Sequence, residues 1–440
     1  MRTLKGESPL TLRIMLPAGS TLNVAPIAER FTAQTGISIE FTETPVDEIN
    51  SQILIESLAG IGDIDIALPA TFGIPNLVSA GAILDLSEYV KKHEPPGFQA
   101  DAMYTLGDYF KGKFYGYQTD GDTYLIFLNE RLLGDPDHQK RYSDRYGVEI
   151  HPPQTWEELD RQMSFFNRPQ EGLFGGALFR TPLYIAWEFW VRFHAKGYWP
   201  FDSNMRPQIA ARPGVEAAQE LIAASKHQYP FANSNGLFDN WEAFAKGNIY
   251  CNIGWGGTQK YLNGPNSAIK GKLRFCPMPG GIADGESFNV PYFNWGWNYT
   301  VLASAPSPEI AYLFSLFACT SEMSTIAVRE ADGFFDPFRV AHYEDAEIQA
   351  TYSKSFLATH RTSMLNSIPD LYLSGQSEYF EALSDNLLRA DTGDLTPEQA
   401  MDLTAQQWEQ TTQRLGRDEQ AEQWAFLRKR YPERLQRILR

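Results

Sequence analysis

Two short stretches carry residue types that could do chemistry. In "TDGD", Asp120 and Asp122 stand either side of a glycine. Two carboxyls can serve as acid and base of a glycosidase when about 5 to 9.5 Å separates them across a sugar. Adjacent acids in a turn are more often hydrogen-bond acceptors or solvated charges, and spacing alone leaves both readings open. In "NVPYFNWGWNYTVLASAP", two tryptophans, two tyrosines and a phenylalanine fall between Tyr292 and Tyr299, interleaved with Asn294, Gly296 and Asn298. Core aromatics usually sit among aliphatic side chains. Rings set among amides and carboxylates suit a sugar, whose C–H face a ring can cover while polar groups take up the hydroxyls. Strict alternation would put Trp295 and Trp297 on one face, so a bulge at Gly296 is needed to part them. Trp255 in "NIGWGG" follows a strand and has glycines for neighbours, which would leave an indole face uncovered where α/β folds bind ligands. Packing of Trp255 into helices is the alternative.

Other chemistries lack their signatures. The seven histidines include no pair three or four residues apart, and no Cys-x-x-Cys occurs, so no transition-metal site is expected. No G-x-S-x-G nucleophile elbow is present. "GDYFKGKF" (Gly107 to Phe114) has the Gly-x4-Gly-Lys spacing of a phosphate loop, but Phe114 stands where Ser or Thr must hold magnesium. The stretch also runs into strand-like sequence instead of opening a helix.

Composition narrows the class. At 440 residues the chain predicts two or three domains. It is 43% hydrophobic and 21% charged, which suits a globular protein. A net charge of -16 argues against nucleic acid as partner. The basic end, "LRKRYPERLQRILR", reads as a solvated terminal helix. Three cysteines are too few for a disulfide framework, although Cys251 and Cys276 could pair in an oxidising compartment. The start lacks the apolar core of a secretory leader, so Met1 either begins a cytoplasmic chain or stands where a leader was removed.

The elements that must position these residues follow from periodicity. "LTLRIML", "ISIEFTE" and "DIDIALPA" read as strands separated by helices that stop at Gly36 and Gly60, the order of a parallel sheet. "TWEELDRQMSFF" opens with a capping box, Thr155 and Glu158. "NIYCNIGW" reads as a buried strand. "SPEIAYLFSLFAC", "SEYFEALSDNLLRA" and "TPEQAMDLTAQQWEQTTQRL" read as helices. Trp156, Trp241, Trp408 and Trp424 have core explanations at helical spacing.

Seven of these segments, in order over most of the chain, resemble the extracellular solute-binding proteins of family 1, the sugar-binding components of ABC importers. They are "IAERFTAQTGISIEFTE", "LAGIGDIDIALPATFGIPNLVSAGAILDLSEYV", "KGKFYGYQTDGDTYLIFLNERLL", "AFAKGNIYCNIGWGG", "PMPGG", "VLASAPSPEIAYLFSLFACTSE" and "LLRADTGDLTPEQAMDLTAQQWEQ". Two departures stand out: Gln118 replaces the usual proline before "TDGD", and "YFNWGWNYT" replaces a Gly-rich aliphatic strand.

The resemblance implies an α/β fold of the type II periplasmic-binding-protein kind, two lobes joined by two or three crossing segments with the ligand cleft between them. It divides the chain into 1–119 with 298–337, and 120–297 with 338–440. Crossings are expected near Gln118 to Asp122, Asn294 to Trp297, and Phe335 to Phe338. Function would be capture of a carbohydrate by hinge closure and delivery to ABC permease subunits in the inner membrane, with no cofactor, no metal and no catalysis. The chain would be a periplasmic monomer, its signal peptide absent from this sequence, or else lipid-anchored. Implied ligand contacts are Ser20, Glu43, Thr44, Ala70, Thr71, Phe72, Asp120 and Asp122 in the first part of the chain. Arg180, Tyr184, Trp187, Trp255, Gly256, Asn294, Trp295, Trp297 and Tyr379 follow later. Ser20 and its neighbour Thr21 could instead cap a helix, and Arg180 could be a surface ion pair. A phosphorylated or sulfonated sugar held by Arg180, and a glycoside-cleaving enzyme using Asp120 or Glu43, are the alternatives.

Overall fold

The computed structural model of the protein describes residues 10–60 and 62–440. The stretch 1–9, the first part of the start read for a leader, lies outside them. The chain forms two compact units, one built from residues up to Asp122 with Asn294–Leu357, the other from Thr123–Phe293 with Ala358–Arg440. Phe335 to Phe338 lies inside the first unit, and the third passage falls within the helix Lys354–Asn366.

The first unit carries a five-stranded sheet in the order Ser38–Thr44, Thr11–Pro17, Ile66–Ala67, Asn298–Val301, Gly116–Gln118. The first three strands are parallel, with Ile14 opposite both Phe41 and Ile66. Asn298–Val301 is antiparallel to both of its neighbours. Leu12, Ile14 and Leu16 are fully buried, and from Ile14 to Pro17 every residue is buried, as in a strand covered on both faces. The crossover helices Thr21–Thr35 and Ile49–Ala59 stop at Gly36 and Gly60, whose φ of 75° and 64° are left-handed and suit glycine. The third strand is only Ile66–Ala67 within "DIDIALPA", because Pro69 has no N–H to continue the ladder. "GDYFKGKF" is a hairpin, Tyr109–Phe110 against Lys113–Phe114, turned by Lys111 and Gly112 at φ 49° and 76°. Two successive positive φ values match a tight hairpin turn, not a helix mouth for phosphate.

The second unit's sheet runs Ile368–Pro369, Tyr292–Phe293, Thr123–Asn129, Ile249–Gly254, Phe174–Ala177, with Leu273–Pro277 also pairing Thr123–Asn129. Every residue of Thr123–Asn129 is buried, as a strand covered on both faces must be. Helices close over it. The capping box of Trp156–Phe166 forms as expected: Glu158 N–H donates to Thr155 Oγ1 at 3.3 Å, and Thr155 N–H donates back to Glu158 Oε2 at 3.3 Å. Trp156, Trp241, Trp408 and Trp424 are core residues. The basic end is two helices, Arg417–Arg428 and Glu433–Ile438, split at Pro432, which can start a helix but not continue one. Cys251, Cys276 and Cys319 are free and buried; burial raises all three thiol pKa values, Cys276 to about 12. Among the described residues no single helix is long and apolar enough to cross a membrane.

Candidate functional site

In the first unit the nominated residues gather at the carboxyl end of the parallel strands. Ser20 follows the first strand and is fully buried, yet its side chain makes no capping bond to the helix it precedes. Glu43 Oε1 accepts from Thr21 N–H at 3.2 Å. Burial pushes the Glu43 carboxyl up, but hydrogen bonds from Thr21 and the Gly19 backbone outweigh it and leave its pKa below the usual value. Thr44 ends the second strand, buried. Ala70 N–H donates to Asn50 Oδ1 at 2.9 Å, and Thr71 Oγ1 donates to Asn298 Oδ1 at 2.7 Å. Asn298 Nδ2 in turn donates to Asp108 Oδ1 at 2.9 Å, so this asparagine ties strands together within the core.

Next to it the chain turns at Gly296, φ 77°, whose N–H donates to Asp122 Oδ2 at 3.3 Å and whose carbonyl accepts from Thr71 N–H at 3.0 Å. The kink is where the sequence required one. It does not part the two tryptophans: the Trp295 and Trp297 rings lie 5.6 Å apart, tilted by 57°, and Phe72 meets Trp295 edge-on at 5.8 Å. Asn294 is buried beside them in sequence.

Asp120 and Asp122 are neither solvated nor alone. Asp120 is 0% exposed, Asp122 8%, and Asp336 joins them at 0%. One oxygen of each lies within 4.8 Å of the other two. Asp120 Oδ1 accepts from the N–H groups of Gly121 (2.7 Å) and Asp336 (2.5 Å), and the Tyr352 hydroxyl donates to Asp336 Oδ1 at 2.7 Å. Burial first, then the charge of the neighbouring carboxylates, pushes the pKa values of Asp120 and Asp122 well above the usual carboxylate range. Like charges this close do not all ionise, so the group holds protons. A hard cation takes carboxylate oxygens of this kind, although Ca²⁺ needs six to eight ligands.

The second unit gathers rings. Trp255 stands at the end of the strand Ile249–Gly254, before the helix Gly256–Leu262. One face stacks on Tyr124 at 4.8 Å and 26°, while Tyr184 and Trp187 meet it edge-on, each at 6.3 Å. Gly256, nominated with Trp255, opens that helix. Trp187 Nε1 donates to Asp370 Oδ2 at 3.1 Å.

Two nominated residues are committed to packing. Arg180 is 2% exposed; its guanidinium donates to Glu188 (2.6 and 3.3 Å), the Phe179 carbonyl (2.7 Å) and Ser225 Oγ (2.6 Å). Arg192 shares Glu188 and pairs Asp160. Burial raises the Glu188 pKa, but the two guanidiniums outweigh it and hold the group below its ordinary value. Tyr379 is fully buried, its hydroxyl on Thr412 (2.8 Å) and Gln420 (3.1 Å) between helices. Spacing could not separate such residues from surface ones. Conversely, sequence reasoning missed Asp336 and Asp370. Asp336 lay inside the expected crossing Phe335 to Phe338, which could have nominated it; Asp370, in "SIPDLYL", offers no local signal.

Residues 26–353 match the family of bacterial extracellular solute-binding proteins, and the chain belongs to that family. No match is found among curated proteins. Solved structures similar to it include a ribitol-bound ABC transporter solute-binding protein from Agrobacterium radiobacter K84 (TM-score 0.77, 16% identity, 93% of this chain and 100% of that one). A D-mannitol-bound relative from Agrobacterium vitis S4 (0.75, 18%, 92% and 99%) and the maltose-bound MalE3 of T. maritima (0.74, 18%, 91% and 99%) are comparably similar. These likenesses show the fold, the type II fold of periplasmic sugar-binding proteins.

Proposed function

We propose that the protein is the substrate-binding component of an ABC importer. It captures a carbohydrate (an oligosaccharide, modified monosaccharide or polyol) by hinge closure and delivers it to membrane permease subunits. The observation that carries this reading is that each unit sets aromatic rings beside buried hydrogen-bonding carboxylates at strand ends. In the first these are Phe72, Trp295 and Trp297 with Asp120 and Asp122, and in the second Tyr124, Trp187 and Trp255 with Asp370. Rings for C–H faces, with polar groups that orient them or take up hydroxyls, are what a neutral sugar or polyol needs. The similar structures bound to ribitol, mannitol and maltose support the same class. The anionic alternative loses its anchor, since Arg180 is buried and gives four of its five N–H donors to Glu188, Phe179 and Ser225. The protein acts as an exported monomer, freely periplasmic or lipid-anchored, and returns its ligand unchanged.

Titrating ribitol, D-mannitol, D-tagatose and maltose while recording tryptophan fluorescence tests the proposal. Saturable quenching or a blue shift with at least one of them is expected, with that sugar recovered intact after incubation. Silence toward all of them and toward longer maltodextrins, alongside calorimetric binding of an amino acid, would refute it.

A further inference from the structure

Asp370 has an arrangement no other buried carboxylate of the second unit shares. Each oxygen takes two donors: Leu371 N–H (2.5 Å) and Gln376 Nε2 (3.0 Å) on Oδ1, Trp187 Nε1 (3.1 Å) and the Tyr292 hydroxyl (2.7 Å) on Oδ2. All four are donors, and only the tyrosine oxygen or a flipped Gln376 amide could accept a hydrogen bond in return. The ionised carboxylate satisfies the set, whereas a protonated one must give up at least one of the four bonds. The two partners on Oδ2 belong to the ring cluster: Tyr124 lies edge-on to Tyr292 and to Trp187 at 6.4 Å each and stacks on Trp255.

We propose that Asp370 is the positioning residue of this cluster, holding Trp187 and Tyr292 through one oxygen so that the rings around Trp255 keep their angles, and that its protonation loosens them and weakens sugar binding. The proposal rests on the carbohydrate-binding reading above. Burial raises the Asp370 pKa from 3.8 to about 6 despite its four donors, so the change falls in an accessible range. Four groups linked to the ring cluster are shifted away from that range. His194, 3.2 Å from the Tyr431 hydroxyl, is lowered by burial to about 4; Tyr124 and Tyr292 are raised by burial; Glu188 is held ionised by Arg180 and Arg192. Glu378, on the helix that carries Gln376, pairs Arg414.

The test uses the full chain carrying 5-fluorotryptophan, without sugar, followed by fluorine NMR from pH 4.5 to 8. One indole signal, assigned to Trp187 by its loss in Trp187→Phe, is expected to shift with a midpoint near 6, and Asp370→Asn is expected to abolish that shift. If no indole signal moves near pH 6, or if the shift survives in Asp370→Asn, the proposal fails; should that variant not fold, the wild-type titration decides alone. In parallel, maltose and D-mannitol are titrated at pH 5 and 7.5. Wild-type binding three- to tenfold weaker at pH 5, with no such difference in Asp370→Asn, is expected. Equal affinity at both pH values overturns the loosening. If neither of these two sugars binds at any pH, the wider sugar panel decides the carbohydrate reading, and the NMR titration still decides the role of Asp370.

Discussion

Removing one carboxyl from the buried group of the first unit should change how stability depends on pH. Asp120 and Asp122 have native pKa values raised above the 3.8 of an ordinary aspartate, burial being the largest cause. A raised native pKa stabilises the fold fully below the unfolded value, and that stability is lost as pH rises toward the native one. Above pH 4 the unfolded chain has released these protons, while the native one keeps them until pH reaches its raised values. Each extra native proton therefore costs about 1.4 kcal/mol of stability per pH unit. Two such groups give a slope of at most about 2.7 kcal/mol per unit. Asp122→Asn keeps the shape and an oxygen for the Gly296 N–H but removes one titrating group, while the repulsion of Asp336 on Asp120 remains. The slope should fall by about half, and the variant should overtake wild type as pH rises from 5 to 8. Urea unfolding in EDTA at pH 5, 6, 7 and 8, fitted with one transition per unit, measures this. Identical slopes for variant and wild type would show that Asp122 carries no retained proton, and the reasoning about the cluster would be wrong.

Trp255→Phe removes the larger ring stacked on Tyr124 and should weaken binding of whichever panel sugar responds by roughly tenfold, about 1.4 kcal/mol, read by calorimetry. Thr155→Ala breaks the capping box and should cost the second unit about 1 kcal/mol in urea unfolding, with sugar affinity unchanged. Arg180→Leu leaves Glu188 with one buried partner and should destabilise by about 3–5 kcal/mol. If it folds at low temperature, its preference for glucose over glucose 6-phosphate should match wild type.

What the sequence disclosed was local. Glycine stops at Gly36 and Gly60 and the Thr155–Glu158 box are each set by one residue's backbone freedom or one short hydrogen-bond pattern, and each stands where sequence put it. Trp255, Trp295 and Trp297 drew notice because tryptophan beside glycine and asparagine is an unusual core composition, although all three are buried; Tyr124, on which Trp255 stacks, offered no such signal. Long-range assembly was not legible. Asp336 joins Asp120 from more than two hundred positions away, and Asp370 meets Trp187 from almost as far. Arg180 and Tyr379 failed in the opposite sense. Their types suited a ligand, yet burial beside Glu188 and Thr412 gave them structural work, and no periodicity distinguishes a charge that will be buried with its partner.

The strand Asn298–Val301 lies inside the first unit's sheet, between Ile66–Ala67 and Gly116–Gln118, although the rest of that sheet precedes it in the chain. During synthesis at about 5–20 residues per second, roughly 10–50 s separates the appearance of Ala67 from that of Val301. Throughout that interval Ile66–Ala67 and Gly116–Gln118 have no partner on the sides they will share with the missing strand. Asp120 also waits for the Asp336 N–H, and Asp122 for that of Gly296. The order of the ribosome and the order of the sheet disagree here. A nascent or truncated chain ending before Asn298 therefore offers two bare strand edges, the state in which this protein is most open to pairing with another chain.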